Sequence, residues 1–181
     1  ENTVEVKEIA PWGKLLKSSQ FWSLGLQFMI TDYIMYVFLA WLPLYLMEVH
    51  GFSLSKMGLW AAAPWLSLMA VVSCCGYLSD KAIAAGFSQN LVKTSTGAVG
   101  ILLCACTLFI ATRTADPMMN VFWLSVALGS LGLTMSASWS SVISMGGRFA
   151  GSVSGWMNFW GNIGGVLAPS VTAWVATTYG W

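Results

Sequence analysis

Charge is what this sequence has least of. Only 8% of the residues are Asp, Glu, Lys or Arg, and the formal net charge is +1. Such a balance provides no basic surface for nucleic acid and no acidic tail. Cysteine is sparse too. Cys74, Cys75, Cys104 and Cys106 lie inside apolar runs, without the spacing of a metal site or a disulfide framework, so they are expected to pack as small hydrophobes. No cofactor and no metal is expected. The single histidine, His50, lies in a short polar connection. Neither an H-E-x-x-H pattern nor a nucleophile motif occurs, and no acid and base are paired within the apolar runs, which argues against an enzyme.

What is present in excess is apolar and aromatic. Hydrophobic residues make up 57% of the chain, with eleven tryptophans in 181 positions, a composition that points to an integral membrane protein. Five long apolar stretches run from Gln20 to Met47, Leu54 to Leu78, Leu91 to Thr112, Met118 to Met145 and Ser152 to Thr177. Each reaches the roughly 20 residues that a helix needs to cross the hydrocarbon core. Short polar connections separate them: EVHGFS at 48–53, SDKAIAAGFSQN at 79–90, RTADP at 113–117 and GGRFAG at 146–151. Residues 1–18 read as an aqueous linker entering the membrane, and residues 19–181 as the helical domain. Five spans ending on YGW suggest a chain that stops before a last helix.

The basic residues suggest an orientation. With the amino end cytoplasmic, Lys7, Lys14, Lys17, Lys81, Lys93 and Arg148 fall inside and only Lys56 and Arg113 outside, in keeping with positive-inside topology. Lys93 is counted with the cytoplasmic residues, so no Lys or Arg is expected within a span to neutralise an anionic substrate.

Three segments carry a family resemblance. GYLSDK, Gly76–Lys81, matches the opening of the G-x-L-x-D-R/K loop motif of the major facilitator superfamily, although Ala84 and Ala85 stand where further basic residues are usual. AWLPLYLMEVHGFSLSKMGLWAAAPWL resembles the seventh and eighth helices of that superfamily's anion:cation symporter branch, and AGSVSGWMNFWGNIGGVLAP its eleventh. The resemblance extends from Phe21 to Trp181. It implies an all-α membrane fold, the carboxyl half of a twelve-helix transporter comprising helices seven to eleven, with Gly76, Asp80 and Lys81 as a gating motif.

Helical geometry singles out further residues. In the fifth span Gly151, Gly155, Asn158, Asn162, Gly165 and Pro169 share an arc of roughly 80°, with Trp156, Trp160, Ile163 and Leu167 nearly opposite. Asn158, read as nearer the span centre, is the candidate ligand for a polar substrate, and Asn162 the candidate for a bond to an adjacent helix. In the fourth span Ser125, Gly129, Gly132, Ser136 and Trp139 form a small, polar stripe ending in an indole. SASW, Ser136–Trp139, resembles the tenth-helix segment of aldonate transporters, which implies substrate roles for Ser136, Ser138 and Trp139. Hydroxyls suit a polyhydroxylated ligand because they both donate and accept.

Asp32 is the one ionisable side chain read as lying well inside a span, and a carboxylate at that depth is by default functional. A coupling role and a structural one both remain open for it. Tyr36, one turn on, is placed on the same face as a further substrate-side residue. Pro43 and Pro64 are expected to bend their helices and free backbone carbonyls.

The expected function is secondary transport of a small organic anion, a sugar acid such as an aldonate, uronate or aldarate, coupled to H+ or Na+ by alternating access. The alternatives are a carrier of small aromatic or dicarboxylic acids, or a non-transporting membrane sensor on the same fold. The partners implied are the anion, the coupling ion, the lipid bilayer and the amino-terminal half of the same transporter. The resemblance implies a multi-pass location in a bacterial inner membrane.

Overall fold

The computed structural model describes residues 10–180, and among them every regular element is helical. After a helical turn, α1 (Trp12–Leu15), come α2 (Ser19–Glu48), α3 (Leu54–Trp60), α4 (Ala63–Ala84), α5 (Gln89–Thr112), α6 (Pro117–Gly146) and α7 (Ala150–Tyr179). Residues 1–9 of the expected 1–18 linker lie outside the described residues, and its remainder contains α1. Four helical stretches are long and apolar enough to cross a membrane, the last being the 63 residues from Pro117 to Tyr179. Laid straight, that stretch would measure about 95 Å against a hydrocarbon core of about 30 Å. It turns back instead. Gly147, at φ 49° and ψ −121°, opens the 3-10 turn Gly147–Phe149 that separates α6 from α7, a backbone state that glycine adopts without a Cβ penalty.

Local chemistry fixes where the helices start. Ser53, Ser88 and Asp116 each accept a bond from the backbone N–H three residues on, at Lys56, Leu91 and Met119, so one otherwise orphan donor is satisfied at each end. Pro117 follows its cap at the first turn of α6, where a missing N–H costs nothing. Pro64 does the same for α4, and here the structure departs from the expected second span. That span breaks between Trp60 and Ala63, so Pro64 heads a new helix rather than bending a continuous one. Pro43 lies inside α2 as expected, and Pro169 inside α7. α4 also runs further than expected, to Ala84, so the Gly76–Lys81 motif forms the last turns of a helix rather than a loop.

The helices pack as two layers joined through α6. α5 and α6 are an antiparallel pair: Gly100 lies against Ser130 and Thr134, Gly97 against Ala137, and Lys93 bonds to Ser144. α4 runs parallel to α6, with Gly129 and Gly132 against Ser67, Leu68 and Val72. α2 and α7 are also parallel, Phe21 stacking on Trp156 at 4.8 Å and Gly164 meeting Met29. This alternation gathers Lys17, Lys81, Lys93 and Arg148 at one end of the bundle. At the other end Asn120, fully buried, donates to the Ala111 carbonyl at 2.9 Å and to the Tyr45 hydroxyl at 3.2 Å, tying α2, α5 and α6 together. Two apolar clusters fill the interior. One surrounds Phe38, Leu42, Leu128 and Leu131, and the other joins Phe21 and Phe28 to Val142, Val153 and Met157. Large side chains such as Leu59, Leu102 and Val166 point outward, as the hydrocarbon of a bilayer permits.

Candidate functional site

The α2–α7 seam depends on missing side chains. A Cβ on Gly164 would run into the Met29 carbonyl, one on Gly161 would meet the Asp32 carboxylate and Phe28, and one on Gly165 would press on the Tyr36 ring at 2.8 Å. Asp32 and Tyr36, one turn apart on α2, therefore lie side by side against the α7 glycines. Both are half-buried. Among the described residues neither side chain makes a hydrogen bond or ion pair, so a carboxylate and a phenol are held at membrane depth with their polar atoms unused.

The seam also corrects the expected faces of α7. The buried edge runs through Val153, Met157, Gly161, Gly164 and Ala168 and takes in Gly165 from the expected stripe, but its centre is rotated by about 120° from Gly151, Asn158 and Asn162. A Cβ on Gly151 or Gly155 would touch nothing within 4 Å. The bulky face is also engaged: Trp160 covers Gly25, and Trp156 stacks on Phe21. Among the described residues neither asparagine bonds to a neighbouring helix. Asn158 donates to the Ser154 carbonyl at 2.9 Å and Asn162 to the Asn158 carbonyl at 2.8 Å, each one turn back along α7. Asn162 is exposed, and the helix midpoint falls at Gly164–Gly165, so Asn162 is the nearer of the two to the centre.

On α6 the expected polar stripe divides. Its first part, Gly129 and Gly132, is a packing seam with α4, and the Ser125 hydroxyl returns to the Val121 carbonyl at 2.7 Å. Beyond it, Trp139 stands 40% exposed with its edge toward Phe28, ring centres 6.2 Å apart. The Trp139 indole N–H and the half-buried Ser136 hydroxyl have no hydrogen-bond partner among the described residues. Ser138 does not belong with them. At 1% exposure it accepts from Gln27 Nε2 at 3.0 Å and donates to the Thr134 carbonyl at 2.8 Å, so it is a bolt between α2 and α6, enclosed and with its one proton used.

Phe28 is the hinge of the arrangement. Its ring packs nearly perpendicular to Trp139 of α6, and the same ring lies beside Gly161 of α7, next to the Asp32 carboxylate. Trp139 and Asp32 are thus brought around one aromatic ring, with Asn158 one turn from Gly161. Such a wall offers an apolar flat surface, an indole donor and a carboxylate, with the Ser136 hydroxyl one turn from Trp139 along α6, a set suited to a small polar molecule carrying hydroxyls. Asp80 and Lys81 lie apart from it, exposed at the end of α4, where the Lys81 ammonium sits 4.6 Å from the Tyr77 ring centre.

Sequence reasoning missed Lys93. It falls two residues inside the expected third span, and the structure buries it to 9% exposure on α5, so the spans do contain a cation. Its position inside Leu91–Thr112 was the available signal, and the count of basic residues by side obscured it.

Comparison with known proteins bears on the family of the chain. A family profile described as Major Facilitator Superfamily matches residues 2–169. The chain is 27% identical over 176 residues to "Probable anion transporter 1, chloroplastic" of Oryza sativa subsp. japonica, covering 97% of this chain and 33% of that protein. It is 31% identical over 148 residues to "D-galactonate transporter" of Escherichia coli O6:H1, covering 81% of this chain and 34% of the relative. To "Ascorbate transporter, chloroplastic" of Arabidopsis thaliana it is 25% identical over 173 residues, 96% of this chain and 32% of the relative. The chain spans about a third of the length of the curated relatives it matches.

Proposed function

The chain belongs to the Major Facilitator Superfamily, and from that premise we propose that it forms the carboxyl-terminal part of a secondary transporter for a small organic anion. The family is one of transporters, not of enzymes. A sugar acid is the substrate class that this reading favours, with H+ or Na+ as the coupling ion. A multi-pass position in a bacterial inner membrane is the companion reading, although named relatives include chloroplastic proteins as well as bacterial ones.

The observation that carries the proposal is that Phe28 lies between the Trp139 indole and the Asp32 carboxylate, both without a hydrogen-bond partner among the described residues, with Ser136 and Tyr36 one turn away along their helices. Leaving such groups without partners is costly in hydrocarbon, and a polyhydroxylated ligand supplies partners for them. In this reading Ser136 and the Trp139 indole bond to ligand hydroxyls. The Asn158 side-chain Oδ1 accepts from another, since of its amide only the NH2 is engaged along α7. Tyr36 lines the same side, and Asp32 takes part in ion coupling. The amino-terminal half supplies the opposite wall. Glycine seams such as α2–α7 suit the rocking of rigid helix groups that alternating access requires. Asp80 and Lys81, with Gly76 one turn earlier, act at the basic end as a gating contact.

The test is uptake by the full-length transporter in proteoliposomes with an imposed proton or sodium gradient. Labelled aldonate should accumulate and be displaced by uronate and aldarate. Displacement by aromatic or dicarboxylic acids alone would move the substrate class, and ligand binding without flux would make the protein a sensor.

A further inference from the structure

The end of the bundle opposite Lys17, Lys81 and Arg148, the outer one on the orientation expected from the basic residues, is closed by a chain of hydrogen bonds. It runs from a histidine to a backbone carbonyl. His50 Nε2 lies 3.3 Å from the Tyr45 hydroxyl, and Asn120 Nδ2 gives one proton to that hydroxyl and the other to the Ala111 carbonyl. Tyr45 packs against the apolar cluster that holds Leu46, Phe52 and Val121, so the bonds are made away from water.

Each bond has a fixed direction. The Ala111 carbonyl can only accept, so the Asn120 amide must present its NH2 on that side, and the same NH2 gives to Tyr45. The Tyr45 oxygen therefore receives, and its own proton is the one offered to neutral His50 at Nε2. An imidazolium has no acceptor nitrogen. Protonating His50 thus sets a donor against Tyr45 where an acceptor stood, and the chain loses the bond that ends it.

The position of His50 is built. α2 ends in a Schellman turn, with the Phe52 N–H on the Leu46 carbonyl, the Gly51 N–H on the Met47 carbonyl and Gly51 at φ 65°. This turn sets the imidazole edge-on to the Tyr45 ring, centres 5.3 Å apart, and 6.4 Å from the buried Phe52 ring. Asn120 is fully buried, and its Oδ1 has no partner among the described residues. An unused buried acceptor is a standing cost that leucine would avoid, which points to a use beyond packing.

We propose that the His50–Tyr45–Asn120 chain is a pH-sensitive latch, which ties the outer end of α2 to α5 and α6 while His50 is neutral and releases it when His50 gains a proton. Histidine is the side chain that changes charge between about pH 5 and 8, so acidification of the outer aqueous phase loosens the latch. The charged groups at this end are otherwise placed. The Lys56 ammonium lies 4.4 Å from the Phe52 ring centre, the Arg113 guanidinium 5.2 Å from that of Phe109, and the Asp116 carboxylate caps α6 at the Met119 N–H. Glu48, the last residue of α2, stands two positions before His50 and is therefore the control.

The experiment uses the full-length transporter in nanodiscs, without substrate or gradient, so its outcome does not depend on which anion is carried. Spin labels on Leu54→Cys, at the start of α3, and Met118→Cys, at the start of α6, both exposed, report the separation of the two sides in a background freed of other reactive cysteines. From about pH 8 to about pH 5 the ratio of longer to shorter distances should rise by about twofold to tenfold, the range that one neutral hydrogen bond commands. His50→Gln, which keeps an acceptor and takes no charge, should hold the shorter distance at both pH values. Tyr45→Phe should show the longer one at both, and Glu48→Gln should respond as wild type. A wild-type distribution unmoved by pH would overturn the latch, as would a His50→Gln response equal to that of wild type or a response abolished by Glu48→Gln.

Discussion

The α4–α5–α6 wedge and the α2–α7 pair are made of the same materials and differ in what they leave unfinished. Both bring backbones together on glycines, Gly100, Gly129 and Gly132 in the first, Gly161, Gly164 and Gly165 in the second. Both carry hydroxyls. In the wedge several of those hydroxyls are satisfied, Thr134 by the Gly97 carbonyl at 3.1 Å, Ser130 by Val126 at 2.7 Å and Thr107 by Leu103 at 2.7 Å. Along α2–α7 the Asp32 carboxylate and the Tyr36 hydroxyl have no partner among the described residues, and the buried Trp160 indole N–H has no hydrogen bond either. The difference separates a seam from a site. A small polar stripe on a membrane helix signals close packing, and only polar groups left over after packing signal a ligand.

The largest effect should come from filling the α2–α7 seam. Gly164 faces a backbone carbonyl, that of Met29, which cannot rotate away, so Gly164→Leu must force the helices apart. Overpacking of this kind costs about 1–3 kcal/mol and sometimes more, enough to deplete the folded protein. Gly155→Leu, on the face where nothing lies within 4 Å of a Cβ, should leave it intact. Size-exclusion profiles of the two full-length variants decide the matter. Equal yields of monodisperse protein would show that α2 and α7 are not locked by these glycines.

Next comes Asp32, which sharpens the comparison from the functional side. If its free carboxylate couples ion movement to transport, Asp32→Asn should bring the accumulation ratio down toward unity. Counterflow, which requires no net ion movement, should persist at a rate similar to wild type. Loss of both activities along with the folded protein would make Asp32 a structural residue of the seam. Unchanged gradient-driven accumulation would remove it from the coupling mechanism.

Much of this was legible in the sequence. The five spans follow from apolar run length alone, and the observed helices extend them by only a few residues, apart from the break before Ala63. The family resemblance also held, as the profile match shows. What failed was the choice of faces. A 3.6-residue period shows which residues share a stripe but not which edge of it a neighbour covers, because glycines on α7 occur on more than one side. Gly155 and Gly161 are equivalent in composition, yet one faces open space and the other Asp32. Lys93 was hidden for a different reason: counting charges by side of the membrane assigns a residue at a helix end to the water, whereas burial there depends on the neighbouring helices.

The smallest expected effects give the finest version of the comparison, because Ser136 and Ser138 differ by only two positions on one helix. At about 100° per residue they point roughly 160° apart, and the structure gives them opposite circumstances. Ser138 is enclosed, accepting from Gln27 on α2 and donating along α6. Ser136 is half-buried with its hydroxyl unused. Interhelical hydrogen bonds in membranes average about 0.6 kcal/mol, so Ser138→Ala should lower the melting temperature slightly and leave substrate affinity close to wild type. Ser136→Ala removes no bond from the protein itself, so stability should hold. If its hydroxyl meets the substrate, the loss of one neutral hydrogen bond, about 0.5–1.5 kcal/mol, should weaken binding by about twofold to tenfold. Isotherms and melting curves on the two purified full-length variants measure both quantities. A Ser136→Ala variant that binds as wild type would mean that an unused hydroxyl on this face is no guide to the ligand, and the distinction between seam and site would then rest on Asp32 and Trp139 alone.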